Sequence, residues 1–193
     1  MAAALLLTGY NLWDQRRAEQ SAKQALEILE QHIPERDTAE EEAPAPPQET
    51  EIPDYVLNPE MEMPAIAVEG GAYVGVLEIP ALELTLPVMD NCTDANLRRA
   101  PCRYAGTAYQ ENLIVSGHNY RSHFGSLRRL QPGDPMRFWD TDGNLFCYTV
   151  AGMETLDPYA VEEMKAGNWP LTLFTCTAGG QSRLTVRCAA ADP

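Results

Sequence analysis

The feature that most constrains the fold is a succession of short apolar runs, each closed by a turn signal, from about residue 71 to the end of the chain. Runs of this length, rich in β-branched and aromatic residues and bounded by Gly, Pro, Asn or Asp, are typical of β-strands. We predict strands at 73–79, 82–88, 112–116, 136–140, 145–150, 171–175 and 183–188. Helical patterns are short, at 94–99, 124–130 and 159–166. The spacing predicts a mainly β fold, either a closed barrel or a sandwich.

The first 66 residues differ from this pattern. Residues 14–34 predict an amphipathic helix, because apolar side chains recur at spacings of three and four. These side chains are Ala18, Ala22, Ala25, Leu26, Leu29 and Ile33. Residues 35–66 are acidic and rich in Pro, with little to bury, which predicts a disordered linker. Helix and linker together are interpreted as a stalk that precedes a catalytic domain at 67–193. A chain starting near Tyr55 is expected to fold and to keep its chemistry.

The chain begins with an apolar run at 2–7, far shorter than the roughly twenty residues that a membrane-spanning helix needs. Tyr10 and Trp13 follow it, just before a charged stretch, as aromatic residues do at a membrane edge. Residues 1–13 are therefore interpreted as the outer remnant of a membrane anchor. The alternative is an apolar tail without this role.

Charge and cysteine content exclude some functions. The formal net charge of −14 argues against nucleic acid as a partner, because phosphate contacts need Lys and Arg. The chain has three His and no Cys-x-x-Cys spacing, so neither a metal nor a cofactor is predicted. An odd number of cysteines leaves at least one free thiol. The pairing of the four other than Cys176 stays open; they are Cys92, Cys102, Cys147 and Cys188.

Three reactive side chains stand at the ends of predicted strands. Cys176 ends the run at 171–175, His118 follows the run at 112–116, and Arg183 opens the last run after a Gly-Gly turn. A Cys nucleophile needs a partner that accepts its proton, and imidazole serves. A guanidinium can stabilise the oxyanion of acyl transfer. The pattern predicts Cys176 as nucleophile, His118 as general acid and base, and Arg183 as oxyanion stabiliser.

Neighbouring residues extend this site and offer alternatives. Thr175 and Asn119 are predicted to contact the substrate. Arg187 is the alternative to Arg183, because residues four apart on a strand point to the same side. His123 is the alternative base, but it follows Arg-Ser in a loop and is expected to be exposed.

At these residues the chain resembles the sortase family. The family pattern Thr-Leu-x-Thr-Cys is met by 172–176, its Gly-His step by Gly117-His118, and its Arg-apolar-x-Val strand by Arg183-Leu-Thr-Val. The order of the three motifs is also that of the family. The resemblance covers about 70–190 and implies an eight-stranded closed β-barrel, preceded here by the predicted helix and linker. It also implies a location on the extracytoplasmic face of a Gram-positive-type membrane.

The resemblance implies a cysteine transpeptidase that cleaves a Leu-Pro-x-Thr-Gly-like sorting signal. Its partners would be surface proteins or pilins carrying that signal, with an amine of a cell-wall precursor or a pilin lysine as acceptor. The alternatives are a cysteine hydrolase of similar peptides and an inactive, membrane-tethered binding module. Intact Cys, His and Arg argue against the binding module.

The subfamily is left open by the sequence. Gly-His-Asn followed by His-Phe-Gly-Ser-Leu resembles class B, but 57 residues between His118 and Cys176 leave no room for the long helical insertion of that class. Asp157-Pro158-Tyr159 has the letters of a class C lid. Because it follows His118 instead of preceding the barrel, it is not interpreted as a lid.

Overall fold

The computed structural model describes residues 2–33, 52–68 and 70–192. The helices are α1 (Ala2–His32), α2 (Asp54–Leu57), α3 (Asp94–Leu97) and α4 (Val161–Lys165). The strands are β1 (Ile66–Val68), β2 (Gly71–Ile79), β3 (Leu84–Met89), β4 (Cys102–Ala105), β5 (Leu113–Ser116), β6 (Pro135–Asp140), β7 (Leu145–Leu156), β8 (Leu171–Cys176) and β9 (Arg183–Ala191). Short 3₁₀ turns occupy Pro80–Leu82 and Leu127–Arg129.

Eight of these strands close on themselves. The strand order is β2-β3-β4-β5-β8-β9-β7-β6, and β6 returns to pair with β2 through partners that include Gly75 with Asp140. β1 pairs antiparallel with the beginning of β2 and is not part of the closed ring of eight strands. The predicted eight-stranded closed β-barrel, of mainly β class, is confirmed.

Side-chain alternation along β8 and β9 separates the barrel interior from its outer face. Leu171 and Leu173 of β8 pack into the main core with Val186 and Cys188 of β9. Successive residues of a strand point to opposite sides. The intervening residues therefore face outward, and on β8 these are Thr172, Phe174 and Cys176.

Two strands were not predicted. β1 has three residues, and β4 has the sequence Cys-Arg-Tyr-Ala, which is too short to show an apolar run. β4 nevertheless lies between β3 and β5 in the barrel. It pairs with β3 through Cys102 and Met89. Its place depends on its neighbours in the barrel, and this information is absent from its own four residues.

α1 packs against the barrel, which corrects its interpretation as a stalk. The small and apolar residues predicted on one face are buried, with Leu29 completely inaccessible, except Leu26, which is partly buried. Ala25, Leu29 and Ile33 join one hydrophobic cluster with side chains of the barrel wall; these are Tyr73, Val76, Met89, Ala100 and Cys102. The apolar stripe was read correctly, but the sequence did not show which surface covers it.

Part of the predicted linker also belongs to the folded unit. Tyr55 of α2 stacks on Tyr109, with ring centroids 4.7 Å apart and planes inclined by 11°. Met63 is buried in the main core, and its sulfur accepts a hydrogen bond from the Ala108 backbone. The predicted domain start at residue 67 is therefore too late. The part of the predicted linker at 35–51 lies outside the described residues, as does residue 34 at the end of the predicted helix.

Residues 2–13, interpreted from the sequence as the remnant of an anchor, form the first turns of α1. Across 2–33, 52–68 and 70–192, no helix has both the length and the apolar content needed to cross a membrane.

The packing of α1 predicts a measurable contribution to stability. Leu29→Ala should lower the free energy of unfolding by about 2–5 kcal/mol, because it leaves a cavity against the barrel wall. Gln24→Ala, on the exposed side of the same helix, is the control and should change it little. Urea unfolding followed by circular dichroism measures both. Equal stability of the two variants would restore the stalk interpretation.

Candidate active site

The register of three neighbouring strands brings the predicted reactive groups together. β5 and β8 are parallel, with Ser116 opposite Phe174. Two residues further along each strand, the chain reaches His118 and Cys176 at the same edge of the barrel, and adjacent strands lie about 4.8 Å apart. β9 runs antiparallel on the other side of β8 and places Arg183 opposite Cys176. The three groups thus follow in the order His, Cys, Arg.

These three residues line a single cavity of about 360 Å³. Ser116 and Gly117 contribute the wall next to His118, and the remaining walls come from other elements. These are Cys92, Asp94, Leu97, Tyr104, Asp157, Pro158, Ala160, Val161, Met164 and Phe174. The cavity has room for part of a peptide, and much of its lining is apolar.

The other two predicted site residues do not line this cavity. Thr175 is buried and points into the barrel, like Leu171 and Leu173, because it alternates with Cys176 along β8. Asn119 is exposed beside His118 and is not a lining residue. The expectation that these two side chains contact the substrate is therefore not supported by their placement.

The turn between Cys176 and Arg183 is tight. The backbone N–H of Thr177 donates to Ser182 O at 3.0 Å, and Gly179 and Gly180 have φ of 83° and 72°, a region that favours glycine. The Arg183 guanidinium donates to the carbonyls of Gly180 and Ser182, each at 3.3 Å. The turn thus contacts the guanidinium at the edge of the cavity.

Arg187 has a different environment from Arg183. It is opposite Thr172, four residues or about 13 Å along β8 from Cys176. Its guanidinium is buried and fully engaged. The partners are Glu154 Oε1 at 2.7 Å, the carbonyls of Glu163 at 2.7 Å and Met164 at 2.8 Å, and Thr172 Oγ1 at 3.1 Å. Arg187 therefore binds α4 to the barrel and lies outside the cavity.

The loop that carries His118 is closely packed. A side chain at Gly117 would lie 2.5 Å from the Phe124 ring, so only glycine fits there. The His118 carbonyl accepts a hydrogen bond from the Phe124 backbone at 3.1 Å, which folds the loop back on itself. The His118 ring lies 4.7 Å from the Tyr120 ring, at an angle of 31°.

Burial is the main influence on the protonation of His118. It lowers the pKa of the imidazole, and the positive charge of Arg98 acts in the same direction. The carboxylates of Asp14 and Asp94 act in the opposite direction. The ring is therefore predominantly neutral at pH 7 and able to accept a proton from a thiol.

His123 is fully buried, which corrects the expectation that it is exposed. The turn from Tyr120 to Gly125 directs it inward, next to Phe124 of the main core. Burial lowers its pKa to about 4, and the charge of His118 acts in the same direction. His123 does not line the cavity, so it is placed as a neutral structural residue and not as the base.

Several lining residues were not predicted to belong to the site. Asp94 and Leu97 come from α3. Asp157 and Pro158, which the sequence showed only as letters of a lid motif, come from the connection after β7. Cys92 also lines the cavity, and a hydrogen bond with the Cys102 thiol lowers the pKa of its own thiol. All five cysteines are free thiols in the structure. Only the packing of strands and connections shows which of these side chains meet.

A closed eight-stranded barrel with Cys, His and Arg at one edge defines the fold and site of a cysteine acyl transferase. The family described as Sortase domain matches residues 77–191. The chain therefore belongs to the sortase family, a family of cysteine transpeptidases.

Individual relatives agree with this assignment. Sortase A of Bacillus anthracis is 28% identical over 111 residues, covering 54% of this chain. The match spans 52% of that relative, so the chain spans about half the length of the curated relative it matches.

Solved structures resemble the barrel. Sortase C from Clostridium perfringens SM101 superposes with a TM-score of 0.55 at 24% identity, covering 63% of this chain and 71% of that one. Sortase A from Corynebacterium diphtheriae gives 0.57 at 21% identity, covering 63% and 61%. These similarities support the fold. Because the relatives include sortases named A and C, the class B resemblance around His118 does not decide the class.

The buried His123 predicts acid sensitivity of the fold. An unfolded imidazole has a pKa near 6.5 and the folded one about 4, so below pH 6.5 the unfolded state binds a proton that the folded state does not. Stability should therefore fall by up to about 3 kcal/mol between pH 6.5 and 4. His123→Phe should remove this component from urea unfolding measured across that range.

His32, which is exposed on α1, is the control. His32→Gln should keep the acid sensitivity of the original chain. The interpretation is overturned if the stability of His123→Phe falls with pH as steeply as that of His32→Gln.

Proposed function

We propose that this protein is a transpeptidase that cleaves a Leu-Pro-x-Thr-Gly-like sorting signal between Thr and Gly. The acyl group passes through a thioester on Cys176 to an amine of a cell-wall precursor or a pilin lysine. The observation that carries the proposal is the strand register, which sets His118 and Arg183 on either side of Cys176 in one cavity.

In the first half-reaction, the thiol proton of Cys176 passes to the His118 imidazole as sulfur attacks the Thr carbonyl carbon. The carbonyl oxygen becomes an oxyanion, and the Arg183 guanidinium donates hydrogen bonds to it. The C–N bond then breaks, and the His118 imidazolium gives its proton to the departing Gly amine. The product is a thioester between Thr and Cys176.

In the second half-reaction, the acceptor amine attacks the thioester carbonyl and the same oxyanion site is used again. His118 takes a proton from the amine, the C–S bond breaks, and the proton returns to sulfur. A new amide forms and the thiol is regenerated. The exchange consumes one amide and forms another, so it needs no cofactor or external energy source.

The walls of the cavity suit an apolar signal peptide. Leu97, Val161 and Phe174 supply apolar surface on several sides, and this surface matches the Leu and Pro side chains at the start of the signal. A solved relative, sortase C of Clostridium perfringens, contains the C-terminal cell wall sorting motif. The location that we propose for this chain is the extracytoplasmic face of a membrane, in keeping with its family.

The nucleophile is tested with a synthetic signal peptide and a glycine-based amine. The full chain should give the transpeptidation product and, without amine, a covalent acyl-enzyme detected by mass spectrometry. Cys176→Ala should give neither, with an unchanged circular dichroism spectrum because a half-buried thiol contributes little packing. Product formed only with water would identify a hydrolase, and no acyl-enzyme at all would favour a binding module.

The two arginines of β9 should behave differently when each is replaced by Ala. Arg183→Ala should lower kcat at least about 100-fold, the scale for losing an oxyanion donor, with little change in melting temperature. Arg187→Ala should lower the free energy of unfolding by about 1–3 kcal/mol, because it leaves buried carbonyls of α4 without a partner. Its kcat should fall much less. Exchanged phenotypes would reassign the oxyanion role to Arg187.

A further inference from the structure

Tyr120 connects the N-terminal helix to the candidate active site. It stands two residues after His118, and the two rings contact each other at a centroid distance of 4.7 Å. Its hydroxyl donates a hydrogen bond to the Asp14 carboxylate of α1 at 2.5 Å, across 106 residues of sequence. One turn of the helix beyond Asp14, Ala18 is completely buried, so α1 is packed where it presents this carboxylate.

We propose that α1 positions the active-site histidine: Asp14 holds the Tyr120 hydroxyl, and the Tyr120 ring in turn fixes the His118 imidazole beside Cys176. The proposal rests on the proposed role of His118 as acid and base. Asp14 and Tyr120 are positioning residues, since neither lines the cavity that holds Cys176.

The geometry explains why such a support is needed. His118 lies in a loop beyond the end of β5, outside the hydrogen-bonded ladder. Across the described parts of the chain, no side chain hydrogen-bonds to the His118 ring. A catalytic base is usually oriented by a third group, and here the contact comes from an aromatic ring. On its other side, the Tyr120 ring lies 5.5 Å from buried His123, so Tyr120 is enclosed between two imidazoles.

Asp14 affects His118 through its charge as well as through Tyr120. The charged groups that act on His118 are Asp14 of α1, with Asp94 and Arg98 at and just after α3, and buried His123 lies beyond Tyr120. Replacing Asp14 removes a negative charge and should lower the pKa of His118 further. A test must therefore separate the charge from the hydrogen bond.

Four variants of the full chain make this separation. Asp14→Asn removes the charge but keeps an oxygen that accepts from the Tyr120 hydroxyl. Asp14→Ala removes both, and Tyr120→Phe keeps the ring while removing the donor. Glu19→Ala is the matched control, because Glu19 is an acidic residue of the same helix whose partner is Lys23 at 2.7 Å.

The first readout is the NMR spectrum of the His118 ring protons, whose chemical shifts report the neighbouring Tyr120 ring and whose measurement needs no substrate. Asp14→Ala and Tyr120→Phe should move these resonances toward those of a histidine without an aromatic ring beside it. Asp14→Asn and Glu19→Ala should keep them at their original positions at high pH. Titration should show a lower His118 midpoint in both Asp14 variants and an unchanged midpoint in Glu19→Ala.

The second readout is kinetic. Asp14→Ala and Tyr120→Phe should lower kcat about tenfold or more with KM within about twofold, because a small misplacement of a catalytic group affects the transition state more than binding. Asp14→Asn should recover most of kcat at its own pH optimum. The unfolding of each variant is also measured by circular dichroism. If Asp14→Ala unfolds, Asp14→Asn and Tyr120→Phe decide the test, because both nearly preserve the size of the side chain.

The proposal is overturned if the His118 resonances and kcat of Tyr120→Phe match those of Glu19→Ala. It is also overturned if Asp14→Asn loses as much kcat as Tyr120→Phe at its pH optimum, since charge alone would then explain the effect. A failure of the proposed function has a different signature: the original chain would show no Cys176-dependent turnover, while the NMR comparison would still report the contact.

Discussion

The arrangement of the candidate site depends on the parallel pairing of β5 with β8. These strands are far apart in sequence, and the closed barrel holds them side by side with Ser116 opposite Phe174. Hydrogen bonds between strands fix their register, and a slip of one residue would turn Cys176 toward the barrel interior. The alignment of the thiol with the imidazole is therefore a property of the backbone ladder, and the two side chains need no direct bond to maintain it.

Two layers outside the barrel support this edge. On one side, α1 covers the wall formed by β2, β3 and β4 and reaches Tyr120 through Asp14. On the other, the buried Arg187 holds the carbonyls of Glu163 and Met164, so α4 stays in place as a wall of the cavity. Both layers use residues remote from Cys176. They fix the loop after β5 and the short helix α4, which have few regular backbone hydrogen bonds of their own.

The sequence could place the three candidate reactive groups at strand ends because each stands next to an apolar run whose strand is evident locally. Cys176, His118 and Arg183 came from strand ends. The spacing of the strands left a closed barrel and a sandwich open, and the resemblance to the sortase family implied the eight-stranded barrel. The sequence failed where a property depends on the packing partner. The apolar face of α1 was recognised without the surface that covers it, and buried His123 was expected in solvent because its neighbours Arg121 and Ser122 are polar. Thr175 was expected to contact the substrate, although alternation alone turns its side chain away from the side of β8 that Cys176 faces.

The pairing of Cys176 with Arg183 across an antiparallel ladder has a consequence for how such an enzyme can diversify. The separation of the two groups is set by the spacing of β8 and β9, whatever chain joins them. Here the connection is six residues long and has two glycines in the left-handed region at its middle. Insertions into this turn would enlarge the rim of the cavity without moving thiol or guanidinium. The loop is thus a region where peptide selectivity can evolve while the chemistry stays constant.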